Sequence, residues 1–176
     1  MVKMRFALCA ALAAFLMPVS GAMAAPLGPD GPRCDSGSGP AVLVKVTGLK
    51  NRAGKVRVRS FNGAIPSHWF NKKHAMKRIE VDIPSAGPVE LCVAVPKAGP
   101  YVLDLRHDTN GNGDSDRADG VGATGNPTIS MFDVMFGKKP PAAKVVMQVG
   151  AGVTTVTLTM KYLQGGSFKS VQTGGR

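Results

Sequence analysis

Lys55-Val56-Arg57-Val58-Arg59-Ser60-Phe61 is the stretch whose reading decides the fold. Val56 and Val58 fall on one side, and the cations Lys55, Arg57 and Arg59 fall on the other. A period of two is the signature of a β-strand, because successive side chains leave an extended backbone on opposite faces. One apolar face and one charged face describe a strand of an antiparallel sheet that is covered on one side only. The stretch therefore predicts a strand over 55–61 and a basic face formed by Lys55, Arg57 and Arg59.

The same pattern extends outward in both directions. Residues 41–46 read as a first strand and residues 77–83 as another. Residues 89–95 alternate Leu91, Val93 and Val95 against Glu90, Cys92 and Ala94, and residues 101–107 place Tyr101, Leu103 and Leu105 on one face. Asn51 with Gly54, and the run Pro96-Lys97-Ala98-Gly99-Pro100, punctuate the strands with turn chemistry. Phe132 to Phe136 reads as a short strand, and residues 144–149 and 153–163 read as a closing hairpin around Gly150-Ala151-Gly152. One short helix is expected over 67–73, capped by Ser67. It carries Trp69 beside Phe70, rings expected to plug one end of the molecule. Many short strands and almost no helical period predict an all-β fold. The expectation is an immunoglobulin-like or transthyretin-like antiparallel β-sandwich of seven or eight strands with one short helix.

Flanking segments complete the organisation. Lys3 and Arg5 precede an apolar run from Phe6 to Met17, Pro18 breaks it, and Ala22-Met23-Ala24 is a small-x-small site. These three parts predict a secretory signal peptide over 1–24, cut after Ala24, that is too short to be a membrane span. Cys9 belongs to that segment and is lost with it. The expected location is periplasmic or secreted. Residues 25–40, rich in Pro, Gly and Ser, read as an extended leader, residues 41–163 as the sandwich, and residues 164–176 as a flexible tail.

Cysteine count and charge bear on compartment and partners. Removal of the signal leaves Cys34 and Cys92, which an oxidising compartment joins in a disulfide. Lys and Arg exceed Asp and Glu by eleven over the whole chain, and by nine without Lys3 and Arg5. The surplus favours an anionic envelope glycan or lipid as partner. The cations are spread along the chain rather than blocked, which also fits a merely soluble surface. Export and the scarcity of aromatic residues argue against nucleic acid.

One loop carries candidate chemistry. Asp108-Thr109-Asn110-Gly111-Asn112-Gly113-Asp114-Ser115-Asp116-Arg117-Ala118-Asp119 places Asp108, Asn110, Asn112, Asp114, Asp116 and Asp119 at the ligand positions of a calcium loop, with Gly113 at the sharp turn. Four carboxylates crowded into so short a segment of a basic chain repel one another unless a cation sits among them. Calcium is the expected cofactor. The last position is Asp119 rather than Glu, and the segment before the loop is a strand, so a static calcium site is expected rather than a sensor. His68, His74 and His107 show no zinc spacing. No nucleophile motif or phosphate-binding loop is present, which points away from an enzyme. Asp104 and Asp108 remain as a carboxylate pair for a glycan-acting hydrolase, against the plainer reading of Asp104 as a residue of the strand's polar face.

Val95-Pro96-x-x-Gly99-x-Tyr101, His107-Asp108-x-Asn110-Gly111-Asn112-Gly113 and Gly125-Asn126-Pro127 together resemble the exported bacterial domain-of-unknown-function 2141 family over about residues 41–163. The resemblance implies a sandwich of the same kind and a periplasmic or surface location, and no established activity. Where many members continue with Gly-Phe-Ser-Asn-Asn, this chain has Gly122-Ala123-Thr124-Gly125-Asn126 and lacks the aromatic. The functional expectation is a non-enzymatic periplasmic or envelope module, stabilised by calcium, with a structural or binding role. Its rivals are a basic-face binder of anionic glycan or envelope lipid, and a hydrolase that uses the loop carboxylates.

Overall fold

Alternating strands each present one apolar face to be covered, and here the faces of two sheets cover each other. The computed structural model describes residues 24–171. The expected signal peptide, apart from Ala24, lies outside the described residues. In chain order the elements are α1 (Gly31–Ser36), β1 (Ala41–Thr47), β2 (Lys55–Asn62), β3 (Lys77–Asp82), β4 (Val89–Ala94), β5 (Gly99–Asp108), β6 (Gly120–Ala123), α2 (Met131–Met135), α3 (Ala142–Val145), β7 (Met147–Val149), β8 (Val153–Thr159), β9 (Lys161–Gln164) and β10 (Ser167–Ser170). The fold is all-β. The small sheet runs β4-β1-β8, and the large sheet runs β10-β9-β6-β5-β2-β3 with β7 paired to β5. Among the described residues no helix is long and apolar enough to cross a membrane.

Val42, Val44, Leu91, Val93 and Leu158 of the small sheet close on Val56, Val58, Leu103, Leu105 and Tyr162 of the large one. Burial of each such aliphatic side chain contributes about 1.5–3 kcal/mol. The alternation of 55–61 is realised: Val56 and Val58 are fully buried, and Lys55, Arg57 and Arg59 lie on the outer face.

Several local expectations are corrected. Residues 144–149 and 153–163 do not form a hairpin. β7 pairs with β5 in the large sheet, β8 runs parallel to β1 in the small one, and β9 returns to the large sheet beside β6. The chain changes sheet at Met160, which is fully buried. A continuous run of β-formers conceals such a switch, because both strands keep the same period. Residues 132–136 lie in helix α2 and not in a strand. Ser130 accepts from the Asp133 N–H while Asp133 accepts from the Ser130 N–H, a reciprocal cap that outweighs the strand preference of Phe and Val. Residues 67–73 are not one helix. Two 3-10 turns, Pro66–His68 and Lys72–His74, flank an extended Trp69 and a left-handed Phe70 at φ 63°, and Ser67 caps neither. The leader is not merely extended, since it contains α1, which Cys34 joins to Cys92 of β4 with 5.9 Å between Cα atoms. In the chain-entropy picture a loop of this length gives roughly 4 kcal/mol. The expected tail contains the last residue of β9 and all of β10, which is hydrogen-bonded along β9.

The feature that builds the site is β5. From Tyr101 to Asp108 every residue is buried, on both faces. The sandwich core covers one face. The other is crossed by the segment 124–146, pinned at both ends. At its start Thr124 Oγ1 donates to the Val145 carbonyl, and Gly125, at φ 73°, lies where a Cβ would strike the Lys144 carbonyl. Asn126 accepts from the Thr159 N–H at 2.8 Å and donates to the Thr157 carbonyl at 3.2 Å. Farther along, Lys139 Nζ donates to the Pro66 and Ser67 carbonyls.

Candidate functional site

The register of β2 against β5 sets the outer face of the large sheet. Phe61 opposes Val102, Arg59 opposes Asp104, Arg57 opposes Arg106, and Lys55 opposes Asp108. At the apolar end Phe61, Trp69, Val102 and Val145 form a second, smaller core. Trp69 thus lies against the sheet face rather than plugging an end of the sandwich, and its Nε1 donates to the Asn62 carbonyl at 2.9 Å. Arg59 comes next. It forms an ion pair with Asp104, through Nε at 3.0 Å and through Nη2, and Nη2 also reaches the Phe70 carbonyl. Asp104 is thus a residue of the strand's polar face, buried there by its pairing with Arg59. Burial pushes its carboxyl above the usual range, against the pull of Arg59.

At the other end the acidic loop winds around Arg106. The guanidinium meets five oxygens: Asp108 Oδ2 at 2.8 Å, Asp119 Oδ2 at 3.1 Å, the Gly113 carbonyl at 3.2 Å, Ser115 Oγ at 3.1 Å and the Asp114 carbonyl. Asp108 Oδ2 also accepts from the Gly113 N–H at 2.8 Å. Crowded carboxylates need a cation, and an arginine of the chain supplies one.

The six residues expected around a single ion fall into two groups. Asp108 and Asp119 are buried on Arg106. Asn110, Asn112, Asp114 and Asp116 are exposed. Three of these bind within the loop: Asn110 accepts from the Asn112 N–H, Asn112 accepts from the Asp114 N–H, and Asp116 takes the Ala118 N–H at 2.7 Å and the Asn110 amide at 2.9 Å. The Ala118 N–H leads the contacts that hold the Asp116 carboxyl below the usual range. Among the described residues no group of three or more His, Cys, Asp or Glu side chains is placed to hold a metal ion. Two buried atoms here lack a hydrogen-bond partner: Asp108 Oδ1, and Arg106 Nε, which has only the ionic contact with Asp119 Oδ2.

The three cations of the basic face part ways. Lys55 turns to Asp82 at 2.9 Å, and Arg59 is held by Asp104. Arg57 makes no ion pair among the described residues, and its buried Nε has no hydrogen-bond partner. Burial, then the neighbouring Arg59 and Arg106, lower its pKa from the ordinary arginine value.

Over Arg57 lies a cleft of about 720 Å³. Arg57, Arg59 and Arg106 of the sheet face line it, together with the Trp69-Phe70 segment and Val134 of α2. Lys138, Lys139 and Lys144 add positive charge to its lining. Sequence reading missed Arg106 and these lysines. A lone Arg two residues before the acidic loop was the available signal for the first. The lysines gave none, because only the crossing segment brings them over β5.

The histidines stand apart from this cleft. His68 and His74 stack with ring centroids 4.1 Å apart. His107, on the core face of β5, is fully buried: its Nε2 donates to the Ala53 carbonyl at 2.8 Å, and its Nδ1 accepts from the Tyr162 hydroxyl at 2.6 Å. That hydroxyl accepts from the Lys50 N–H at 3.1 Å.

The motifs quoted above each have a place in this architecture. The Tyr101 hydroxyl closes the Pro-x-x-Gly-x-Tyr turn on the Lys97 carbonyl at 2.8 Å. His-Asp anchors the loop on both faces of β5, and Gly-Asn-Pro starts the segment that roofs the cleft. No curated protein and no solved structure matches the chain. A family model described as an uncharacterized protein conserved in bacteria, DUF2141, matches residues 44–157, so the chain belongs to that family.

Proposed function

We propose that this protein is a non-enzymatic binding module of the periplasm or cell envelope, and that its outer-face cleft takes an anionic ligand. Arg57 is the observation that carries this reading. A half-buried guanidinium with an unpartnered Nε, between two other guanidiniums and lining an open cleft, is costly unless an anion completes it. Location outside the cytoplasm is supported by the Cys34–Cys92 bond, since disulfides persist in oxidising compartments. The non-enzymatic reading is supported by the state of the two carboxylates open to a hydrolase. Asp104 is held by Arg59 and Asp108 by Arg106, which leaves neither free as general acid or nucleophile.

The ligand chemistry is a carboxylate, sulfate or phosphate, carried by an acidic glycan or a lipid headgroup. Calorimetric titration with oligogalacturonate and with glycerol phosphate separates these sources, with a neutral oligosaccharide as control. At least one anion is expected to bind, with affinity falling as salt rises. Arg57→Ala should weaken it tenfold or more without unfolding the protein. Equal binding of the neutral sugar, or unchanged binding by Arg57→Ala, refutes the assignment.

A second reading, calcium in the loop, is favoured by the unpartnered Asp108 Oδ1 and by the exposed oxygens of Asn110, Asn112, Asp114 and Asp116. With Arg106 already neutralising Asp108 and Asp119, calcium acts here as a weak supplementary cation at the outer side of the loop, in the ~10⁻⁴–10⁻³ M range of extracellular modules.

A further inference from the structure

Exposed apolar side chains are common singly, but a cluster of large ones marks a surface meant to be covered. α2 carries such a cluster. Phe132, Val134, Met135 and the adjoining Phe136 are between 56% and 76% exposed. Phe132 and Phe136 stand one turn apart with parallel rings, their centroids separated by 6.4 Å. The helix is rigidly presented. Ser130 and Asp133 cap it, the Met131 N–H donates to the Gly166 carbonyl at 3.0 Å, and Ser130 bridges to Ser167 at the start of β10. The rings are thus held outward on a fixed platform.

The charge around this knob is of one sign. Asp133 is the sole carboxylate side chain of residues 120–176. It is spent on the helix cap and on Lys138, whose Nζ lies 3.7 Å away. Lys138, 77% exposed, and Lys139 follow the knob directly, and Lys144 lies farther along the same segment.

We propose that this knob docks the protein on an anionic phospholipid surface. Phe132, Met135 and Phe136 enter the headgroup–acyl boundary while Lys138, Lys139 and Lys144 meet the lipid phosphates. An apolar tip with a cationic collar matches both layers of such an interface at once. A second copy of the chain matches it poorly, since two knobs meeting face to face bring Lys138 and Lys139 of each copy together. The surface adjoins the anion cleft and shares Val134, Lys138, Lys139 and Lys144 with its lining, but Phe132, Met135 and Phe136 do not line the cleft.

The test is co-sedimentation of the purified protein with vesicles of phosphatidylglycerol and phosphatidylethanolamine, and with vesicles of phosphatidylcholine alone. Partition into the anionic vesicles is expected, reduced by high salt and at least tenfold weaker on phosphatidylcholine. The double variant Phe132→Ser, Phe136→Ser should lose at least tenfold in partition with an unchanged melting temperature, because both rings are exposed. The double variant should keep wild-type binding of oligogalacturonate or glycerol phosphate, because neither ring lines the cleft. The proposal is overturned if wild type stays in solution with anionic vesicles, or if the double variant binds them equally. It is also overturned if sedimentation equilibrium shows a dimer that the double variant dissociates.

Discussion

Arg57 and Arg106 sit opposite each other in the β2–β5 register, on one face of one sheet, and they live in opposite surroundings. Arg106 meets five oxygens, two of them from buried carboxylates. The Nε of each lacks a hydrogen bond, but that of Arg106 lies 3.1 Å from Asp119 Oδ2, whereas Arg57 has no ion pair among the described residues and lies between two guanidiniums. The same residue type in adjacent positions is therefore structural in one case and unfinished in the other. Charge at a position does not distinguish a role in folding from a role in binding. The distinction lies in whether the chain itself supplies the counter-charge that a buried group needs.

The largest expected effect follows from breaking the completed side. Arg106→Met leaves Asp108 and Asp119 buried without a counter-charge, and loss of one partner of such a buried cluster costs about 3–5 kcal/mol. Urea unfolding should show that loss as a fall in midpoint at unchanged slope. Arg57→Met should be nearly neutral or mildly stabilising in the same measurement, because it removes a desolvated charge flanked by like charges. Its loss should appear instead in anion binding. Equal destabilisation by the two variants would erase the contrast on which the cleft assignment rests.

A smaller effect is expected on the other face of β5. His107 is complete only when neutral: Nε2 must carry the proton, since a carbonyl can only accept, and Nδ1 must be free to accept from Tyr162. Burial, aided by Lys50, lowers the imidazole pKa from 6.5, while the Ala53 carbonyl, Asp119 and Asp108 oppose. The unfolded chain thus takes up a proton that the folded chain refuses. Stability from this group is whole above about pH 6.5 and declines as pH falls from there toward the depressed folded value. Melting temperatures measured between pH 7.5 and 5 should fall on acidification, and His107→Gln should flatten that part of the profile. A wild-type profile as flat as the variant's would mean that the ring accepts its second proton in place.

How much of this was legible depended on whether the cause was local. β2 was readable because strict alternation is a one-strand property, and Val56 and Val58 are buried as the period requires. α2 was misread because Phe and Val favour extended backbone, although Ser130 three residues before Asp133 is a helix-start signal in plain sight. The β8–β9 switch at Met160 leaves no local trace, because a strand that changes sheet keeps its period. In the loop, the crowding of Asp108, Asp114, Asp116 and Asp119 was read as a need for a cation, and Arg106 pairs with two of the four, Asp108 and Asp119. That pairing was hidden, since only the outer-face geometry of β5 aims the Arg106 side chain into the loop. The cleft depends on still longer-range placement, a crossing segment anchored through Gly125, Asn126 and Lys139.

The smallest expected effect sharpens the comparison at its structural pole. If Arg106 is the cation that the loop needs, added calcium has little charge left to neutralise. It meets mainly the exposed oxygens of Asn110, Asn112, Asp114 and Asp116, three of which already accept backbone N–H bonds inside the loop. Ligand linkage limits stabilisation to about 2.7 kcal/mol even at a hundredfold excess over the dissociation constant. At a few millimolar calcium against a constant of ~10⁻³ M, the same relation allows only about 1 kcal/mol. The wild-type melting temperature should therefore rise slightly with calcium and return with chelator, less so with magnesium, which demands tighter octahedral geometry. Asp116→Ala should remove that small rise while Arg106 keeps the loop closed. In Arg106→Met the two buried carboxylates are released, and the calcium-dependent rise should grow. An equal shift in wild type and Arg106→Met would show that the guanidinium and the ion do not answer the same need.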